Sequence, residues 1–377
     1  MTARALEGVV VADFSRVLAG PYATMMLADL GARVVKIERP GSGDDTRAWA
    51  PPRDAEGTAT YFNAVNRNKE SVVLDLADPA DKDQALRIVA GADVVVENFR
   101  AGTMERLGLG YDELRRVRPD LVYCSITGFG RGTGAPLPGY DLLAQAVGGL
   151  MSVTGPDAST PLKVGVALVD VLTGMHALAG IQAALRHRDR TGEGQRVDTN
   201  LLSTVLSALV NQASGYLGAG VVPAPYGNRH PSIAPYEVFA TADRPIALAV
   251  GNDRQFAALC DALGLPDLAT DPRFVSNTER VRHRDDLVAV LTEPLCRHGA
   301  DRWFTVLTER GVPAGPINDI AEAIVFAEQA GLEPVVRIGP EGAAQIANPI
   351  TLSRTPVCYD SAPPRLGEHS RKLLPPA

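Results

Sequence analysis

The first 130 residues alternate short apolar strands with helical segments, and this alternation constrains the fold more than any other feature. The first predicted strand is followed by a helix whose apolar residues recur at helical spacing until Gly31 ends it. Strands separated by crossover helices form a parallel, doubly wound sheet. We therefore predict an α/β fold with a Rossmann-like large domain. Its predicted strands lie at 9–13, 33–38, 71–74, 92–97 and 121–125.

A chain of 377 residues is too long for one compact core, which indicates two domains or one domain with a large insertion. Long helices are predicted near 170–187 and 201–217, before the Gly- and Pro-rich stretch that we interpret as a linker or binding loop. The predicted segments are a large domain at 1–217, the linker at 218–235, a small α/β domain at 236–325 and a C-terminal return to the large domain at 326–377.

Composition narrows the class of protein. With 45% hydrophobic and 21% charged residues the chain is ordinary globular material, and its net charge of −7 argues against a nucleic-acid surface. Its apolar runs are too short to span a membrane, and the N-terminus has no signal-peptide core. The cysteines have neither metal-site spacing nor close pairs, so we expect reduced thiols in a cytoplasmic enzyme. They are Cys124, Cys260, Cys296 and Cys358.

The chain lacks the familiar phosphate-binding and hydrolytic motifs. Glu38 closes the second predicted strand, where a ribose-binding acid often lies, but the turn at 15–21 is not a Gly-x-Gly-x-x-Gly turn. A pyrophosphate therefore has no close-approach glycines there. A Gly-Lys-Ser/Thr loop, a Gly-x-Ser-x-Gly elbow and a His-Glu-x-x-His pair are also missing, so metal and serine-hydrolase chemistry have no support.

Asp170 lies where an apolar run turns into a helical pattern. One interpretation is a helix N-cap, with the carboxylate accepting a free backbone N–H. The other is a nucleophile, because an ionised carboxylate with little solvent around it can attack an activated carbonyl. Both can hold together. We expect the partial positive charge of the helix N-terminus to keep the carboxylate ionised at neutral pH.

Six segments together decide between these interpretations. In their order and spacing, the chain resembles the class III CoA-transferases, relatives of formyl-CoA transferase and carnitine CoA-transferase, over nearly its whole length. Each segment alone is weak evidence, whereas the set is highly specific. The segments are 31–44, 66–71 with 74–76, 97–102 with 106–108, 125–130, 139–141 and the run 164–176 around Asp170.

The resemblance implies a reaction. Members of the family exchange CoA between an acyl-CoA and a small carboxylic acid, without a metal or a permanently bound cofactor. The residue that matches the family nucleophile is Asp170, which would form a mixed anhydride and then an aspartyl-CoA thioester before the incoming acid reverses the steps. The resemblance also implies an interlocked homodimer, with each active site between the large domain of one chain and the small domain of its partner. Neither a nucleic acid nor a membrane is an expected partner.

The same resemblance implies a CoA-binding set. Arg39 and Arg106 match phosphate-side arginines, for which a guanidinium is suited because it can pair with phosphate and stack. Tyr140 matches an aromatic residue near the thioester. The full set of matched residues is Arg16, Val17, Leu18, Ala19, Arg39, Asn98, Phe99, Arg100, Arg106 and Tyr140.

Two departures from the family pattern keep alternatives open. The racemase branch of the superfamily has a proton-transferring His where this chain has Tyr140, and a Tyr with a reference pKa of about 10 is a poor base. A 2-methylacyl-CoA racemase and a non-catalytic CoA-binding homologue are the alternatives, and the intact Asp170 speaks against the second. The stretch 227–236 is not the glycine-rich loop of the oxalate branch, which puts oxalate in doubt. Arg229 and His230 are then candidates for the acid-substrate pocket.

Overall fold

The computed structural model describes residues 4–339 and 342–374, and the chain folds into two compact units. The large unit contains the chain up to Met151, then Lys163–Val222 and the part from Glu333 onward. The small unit contains Ser152–Leu162 and Pro223–Leu332. The stretch predicted as a linker thus divides between the two units after Val222, and the assignment of 152–162 to the small unit was not predicted.

The large unit is built on a six-stranded, wholly parallel sheet in the order β3-β2-β1-β4-β5-β6, which is the Rossmann order. The doubly wound α/β fold is confirmed. The sixth strand was not predicted, because it lies at the edge of the sheet and its sequence is mostly polar. The strands are β1 (Val10–Asp13), β2 (Arg33–Glu38), β3 (Lys69–Val73), β4 (Val94–Glu97), β5 (Val122–Thr127) and β6 (Arg196–Asn200).

Helices cover both faces of this sheet. Along β1, Val11 packs into one apolar cluster with Met26 and Ile181, while its neighbour Ala12 packs into the other with Val89. Successive strand residues point to opposite faces, so both clusters are supplied by one strand. The helices are α1 (Ala19–Asp29), α2 (Thr60–Asn63), α3 (Pro79–Ala90), α4 (Thr103–Arg106), α5 (Tyr111–Val117), α6 (Asp141–Val147), α7 (Leu168–Thr191), α8 (Leu201–Ala208) and α9 (Val210–Ala219).

The two long helices differ from their predicted extents. The helix predicted at 201–217 is broken into α8 and α9 where Val210 takes a φ of 36°. Helix α7 is 24 residues long, and by length and composition alone it could cross a bilayer. Of the 18 consecutive residues that are most apolar in it, 44% are buried inside the protein.

The small unit has a three-stranded antiparallel sheet in the order β7-β8-β9. Its helices pack around a core that includes Phe256, Leu291 and Trp303. The short third strand escaped prediction because its sequence, Ala-Gly-Pro, does not favour strands. The elements are β7 (Tyr236–Phe239), β8 (Ile246–Ala249), β9 (Ala314–Pro316), α10 (Asp253–Leu263), α11 (Asn277–Arg282), α12 (Arg284–Leu295), α13 (Ala300–Glu309) and α14 (Ile320–Gln329).

The C-terminal part of the large unit contains a hairpin, β10 (Val335–Ile338) and β11 (Ala343–Ile346), and a short helix, α15 (Ser370–Leu373). It binds to residues from the beginning of the chain. Arg67 is ion-paired with Asp29 at 2.7 Å and also donates to the Ile346 carbonyl oxygen at 3.0 Å. The backbone N–H of His369 donates to the Ser71 carbonyl oxygen at 2.9 Å. The last segment of the large unit therefore completes a core that the first segment began.

Candidate active site

A cleft lies at the carboxyl end of the large sheet, where β1 and β4 are neighbours and the strand order reverses. Ligands of open α/β sheets bind at such a switch point. The loops after β1, β4 and β5 line the cleft, together with residues just before α6 and in the first turn of α7. Nine of the residues predicted from sequence meet there: Arg16, Val17, Leu18, Ala19, Asn98, Phe99, Arg100, Tyr140 and Asp170.

A close approach of α1 and α7 brings Asp170 to this cleft. A Cβ on Gly174 would lie only 2.6 Å from the Ala19 carbonyl oxygen, so a larger residue would push the helices apart. Gly174 is one helical turn after Asp170, and Ala19 is the first residue of α1. The glycine therefore sets how near the Asp170 carboxyl lies to the loop after β1.

The N-cap interpretation of Asp170 is wrong. Helix α7 begins at Leu168, so Asp170 lies within its first turn, and its carboxylate accepts no hydrogen bond from the residues that the structure describes. The capping acceptor is Asp141, the first residue of α6. Its Oδ1 accepts the backbone N–H groups of Val169 at 2.8 Å and of Asp170 at 3.1 Å. The helix end is capped from outside, and the Asp170 carboxyl is left without such a role.

The expectation that Asp170 is fully ionised at neutral pH is also wrong. Burial raises the pKa of Asp170 to about 7, and the nearby charge of Asp141 adds to the effect. A helix N-terminus favours an anion, but Asp141 already accepts the N–H groups that would have solvated one. Both the carboxylate and the protonated carboxyl of Asp170 therefore occur near neutral pH.

Gln145, one turn after Asp141, extends this support. Its side-chain amide donates to Asp141 Oδ2, and its Oε1 accepts the backbone N–H of Val164 at 2.9 Å. Residues i and i+4 lie on one face of a helix, so α6 presents both side chains together. Helix α6 thereby holds both the approach to α7 and the first turn that carries Asp170.

Arg16, which lines the cleft, and Arg39, which lies outside it, share one carboxylate. The Arg16 guanidinium lies 4.8 Å from the centre of the Phe99 ring and 3.4 Å from Asp45 Oδ2. Arg39 is bound to the other oxygen of Asp45 and donates to Ser42 Oγ at 2.6 Å. An anionic ligand entering here would compete with Asp45 for both guanidinium groups.

Arg39 and Arg106 are not among the described residues that line the cleft. Arg39 is connected to it through Asp45, which does line it. Arg106 is exposed at the end of α4 and donates to Thr103 Oγ1 at 3.1 Å. The structure therefore places Arg16 and Arg100 at the cleft wall and these two predicted arginines outside it.

Arg229 and His230 belong to the small unit. Arg229 forms ion pairs with Glu237 at 3.2 Å and with Asp285 at 3.1 Å. The Nδ1 atom of His230 accepts the backbone N–H of Ser232 at 3.1 Å. The positive charge of Arg229 is thus balanced by two carboxylates within its own unit.

Three side chains of the site were not predicted from sequence. The sequence prediction includes Asp141 only as part of the motif 139–141, although an Asp at a helix start with a Gln four residues later is a visible signal. Asp45 follows the equally plain Gly-Ser-Gly-Asp run. Tyr61 had no signal: burial raises its pKa, and Asp170 and then Asp141 raise it further, so its hydroxyl feels both carboxylates.

Glu38 has a structural role. Its carboxylate is buried, accepts two hydrogen bonds from Arg47 at 2.7 Å each and one from Ser71 Oγ at 2.7 Å. It also accepts the backbone N–H of Asp44 at 2.9 Å. With these four donors in place Glu38 is occupied, in agreement with the absence of a dinucleotide fingerprint.

Several known proteins are similar to this chain over most of its length. The family model described as CoA-transferase family III matches residues 6–370. A succinate–glutarate CoA-transferase of Agrobacterium fabrum is 43% identical over 98% of this chain and 94% of its own length. An acetyl-CoA:oxalate CoA-transferase of Acetobacter aceti is 42% identical over 92% of this chain and 89% of its own. The crystal structure of a CAIB/BAIF family protein from Brucella suis superposes with a TM-score of 0.91 at 41% identity, covering 99% of both chains.

Proposed function

This chain belongs to CoA-transferase family III, and we propose on that premise that Asp170 is the residue through which it moves CoA. As a class III CoA-transferase, the enzyme transfers CoA between an acyl-CoA thioester and a free carboxylic acid. One observation carries the proposal. Asp170 places a carboxyl group, raised in pKa by burial and free of hydrogen-bond donors among the described residues, in the cleft with the predicted CoA-binding residues.

The first half of the reaction stores the acyl activation on the enzyme. An Asp170 carboxylate oxygen attacks the thioester carbonyl carbon, the C–S bond breaks, and CoA leaves as a thiolate. The thiolate then attacks the Asp170 acyl carbon of the mixed anhydride, releasing the donor acid as a carboxylate and leaving an aspartyl-CoA thioester. A carboxylate without hydrogen-bond donors needs little desolvation before it attacks.

The second half repeats these steps in reverse. The incoming carboxylate attacks the aspartyl thioester, CoA leaves again, and its thiolate attacks the acyl carbon that came with the new acid. That step forms the product thioester and returns the Asp170 carboxylate. First-turn N–H groups of a helix lack intrahelical acceptors, and Leu18 and Ala19 lie in the cleft where α1 begins. These N–H groups are suited to the oxyanions of both halves.

We propose small dicarboxylic acids as the acid substrates, with succinyl-CoA as donor and glutarate as acceptor. The name of the Agrobacterium relative supports this choice. The name of the Acetobacter relative makes oxalate a further acceptor to assay, against the doubt raised by the loop at 227–236. Arg229 and His230 stay candidates for binding the acid. CoA enters as a substrate, and we propose no permanently bound cofactor.

We further propose that the enzyme is a cytoplasmic, interlocked homodimer. Apolar side chains around α8 and α9 are left largely exposed in one chain, and a second copy would cover them. Leu206 is 50% exposed, Val210 70%, Leu217 82% and Val222 76%. The four cysteines are free thiols, as suits a reducing compartment. The molar mass in solution tests the assembly, and a value of one chain would contradict it.

Trapping the intermediate tests the mechanism directly. We expect hydroxylamine to inactivate the enzyme only when acyl-CoA is present, because its nitrogen attacks an anhydride or thioester but not a free carboxylate. Mass spectrometry should find the hydroxamate on Asp170. Asp189, exposed on the same helix α7, is the internal control and should stay unmodified. Equal inactivation with and without acyl-CoA would contradict a covalent aspartyl intermediate.

The proposed phosphate contacts are tested by Arg39→Ala and Arg106→Ala. Each should raise the KM for acyl-CoA roughly tenfold or more, the usual loss of a charge-assisted contact, and leave the KM for the acid nearly unchanged. Steady-state kinetics with both substrates measures the split. Arg87→Ala, an exposed arginine on α3, serves as a control. If Arg39→Ala and Arg106→Ala behave like Arg87→Ala, the phosphates bind elsewhere.

A further inference from the structure

We propose that Asn98 is a positioning residue, whose amide holds the Arg16–Val17 backbone in a left-handed conformation and so fixes the shape of the loop after β1. The inference rests on the proposed function, because it treats this loop as the wall of the CoA cleft. It changes the role of Asn98 itself. The resemblance implied a residue along the CoA, whereas the geometry points to a side chain that acts through the loop.

The backbone at Val17 is the first observation. Its φ is 70°, in the left-handed region that residues other than glycine rarely occupy. Val is β-branched, which makes this conformation a genuine outlier for it. Such a residue persists only where the surroundings hold it, and such residues cluster at functional sites. Val17 lines the cleft that contains Asp170.

The hydrogen bonds of Asn98 are the second observation. Its Oδ1 accepts the backbone N–H of Arg16 at 2.8 Å, and its Nδ2 donates to the Arg16 carbonyl oxygen at 2.6 Å. The backbone N–H and the backbone carbonyl oxygen of Arg16 are thus both bound by the Asn98 side-chain amide. The Arg16 carbonyl belongs to the peptide bond that leads into Val17, so fixing it fixes the direction of the chain where the left-handed turn begins.

A buried ion pair holds the other side of the turn. Asp44 Oδ1 accepts the Val17 backbone N–H at 3.2 Å, and Asp44 Oδ2 binds Lys36 Nζ at 2.8 Å. Both charged side chains are fully buried, and Lys36 also donates to the Ser15 carbonyl oxygen at 2.9 Å. Burial alone would raise the pKa of Asp44, but the Lys36 charge and hydrogen bond lower it to about 2. The Asp44 carboxylate therefore stays ionised at neutral pH and binds the Val17 N–H on one side of the turn. Asn98 binds the Arg16 backbone on the other side.

The two hydrogen bonds between the Asn98 side chain and the Arg16 backbone define what Asn98 does. Its carbonyl oxygen and one N–H are taken up by the Arg16 backbone. Removing them frees Val17 to relax to a negative φ, which turns the loop residues that line the cleft. A glycine at position 17 would adopt the left-handed conformation without such help, since it lacks a Cβ. The need for Asn98 should therefore disappear with the Cβ of residue 17.

A double-mutant cycle tests this dependence. Asn98→Ala should raise the KM for acyl-CoA roughly tenfold to a hundredfold, in keeping with the cost of one strained residue. In a Val17→Gly background the same substitution should change the KM less than about threefold. Val17→Ala is the matched control, because it shortens the side chain almost as far but keeps the Cβ. In that background the Asn98→Ala effect should stay large.

Two further measurements keep the outcomes distinct. Asn98→Asp keeps the acceptor but loses the donor, so it should lie between wild type and Asn98→Ala, and it serves if Asn98→Ala does not fold. Asn252→Ala removes the N-cap hydrogen bond of α10 in the small unit, and it should lower the melting temperature without raising the KM. Equal effects of Asn98→Ala in the glycine and alanine backgrounds would overturn the positioning role.

The dissociation constant for CoA is measured in parallel by calorimetry. If the wild type transfers CoA to no acid but binds CoA, the proposed function fails while the cycle on the dissociation constant still decides the role of Asn98. If transfer is observed and the cycle shows no coupling, the positioning role fails and the proposed function stands.

Discussion

Asp170→Asn is expected to lower kcat by roughly 10⁴-fold or more while CoA binding is retained, because an amide cannot attack the thioester. The substitution preserves size and removes no hydrogen bond from the described part of the chain, since Asp141 and not Asp170 caps α7. Single-turnover kinetics with acyl-CoA and calorimetry with CoA measure the two quantities. Asp170→Ala should behave in the same way.

The matched control is Asp189→Asn, which changes an exposed carboxylate on the same helix and should keep full activity. Stability gives a further check. Since the pKa of Asp170 is raised from its ordinary value of 3.8 to about 7, its ionisation destabilises the fold as pH rises through this range. The melting temperature of Asp170→Asn relative to wild type should therefore increase between pH 4 and pH 7. More than a few per cent of wild-type turnover, without deamidation, would refute the nucleophile.

The rate should depend steeply on pH. The first step needs the Asp170 carboxylate, whose pKa is about 7 in the free enzyme, so kcat/KM should fall about tenfold for each pH unit below that value. From neutral pH to pH 5 the loss is about fiftyfold to a hundredfold. Initial rates at low acyl-CoA concentration, with the acid in excess, measure this profile. A flat profile down to pH 5 would contradict the raised pKa of the Asp170 carboxyl.

Asp141→Asn separates the two causes of the raised pKa. The Oδ1 of an asparagine can still accept the N–H groups of Val169 and Asp170, so the helix start is preserved, although the hydrogen bond from Gln145 to Asp141 Oδ2 is lost. It removes the negative charge that, after burial, raises the pKa of Asp170. The midpoint of the pH profile should therefore move to lower pH. An unchanged midpoint would mean that burial alone sets the pKa.

The spacing of apolar residues and the positions of Gly and Pro were enough to predict the parallel sheet, because buried strands such as β4 are continuous apolar runs. They failed for β6, whose residues are polar and half-buried, and for the break at Val210, where no Gly or Pro marks the chain. The stretch 152–162 is rich in Gly, Pro, Ser and Thr, which predicts a loop, but its composition does not show that it belongs with the small unit, since that depends on contacts with distant residues.

The sequence predicted nine residues of the cleft but neither Asp45 nor the interactions between the side chains, and it also placed Arg39 and Arg106 in the site, which do not line the cleft. The motifs that contain these nine residues follow neighbouring parallel strands, and the loops after such strands lie at the same edge of the sheet. The capping of α7 by Asp141 could not be foreseen, since it joins residues 28 positions apart. The same holds for the raised pKa of Asp170, which depends on burial that only the folded chain has.

The order in which the large unit is assembled has a consequence for synthesis on the ribosome. Its sheet strands are complete by Asn200, yet Ile346 and His369 supply contacts to Arg67 and Ser71 near the beginning of the chain. Between these pieces the ribosome must translate nearly all of the small unit, which can fold first as a contiguous stretch. The nascent large unit therefore lacks these contacts at Arg67 and at its edge strand β3 until Ile346 and His369 have been synthesised.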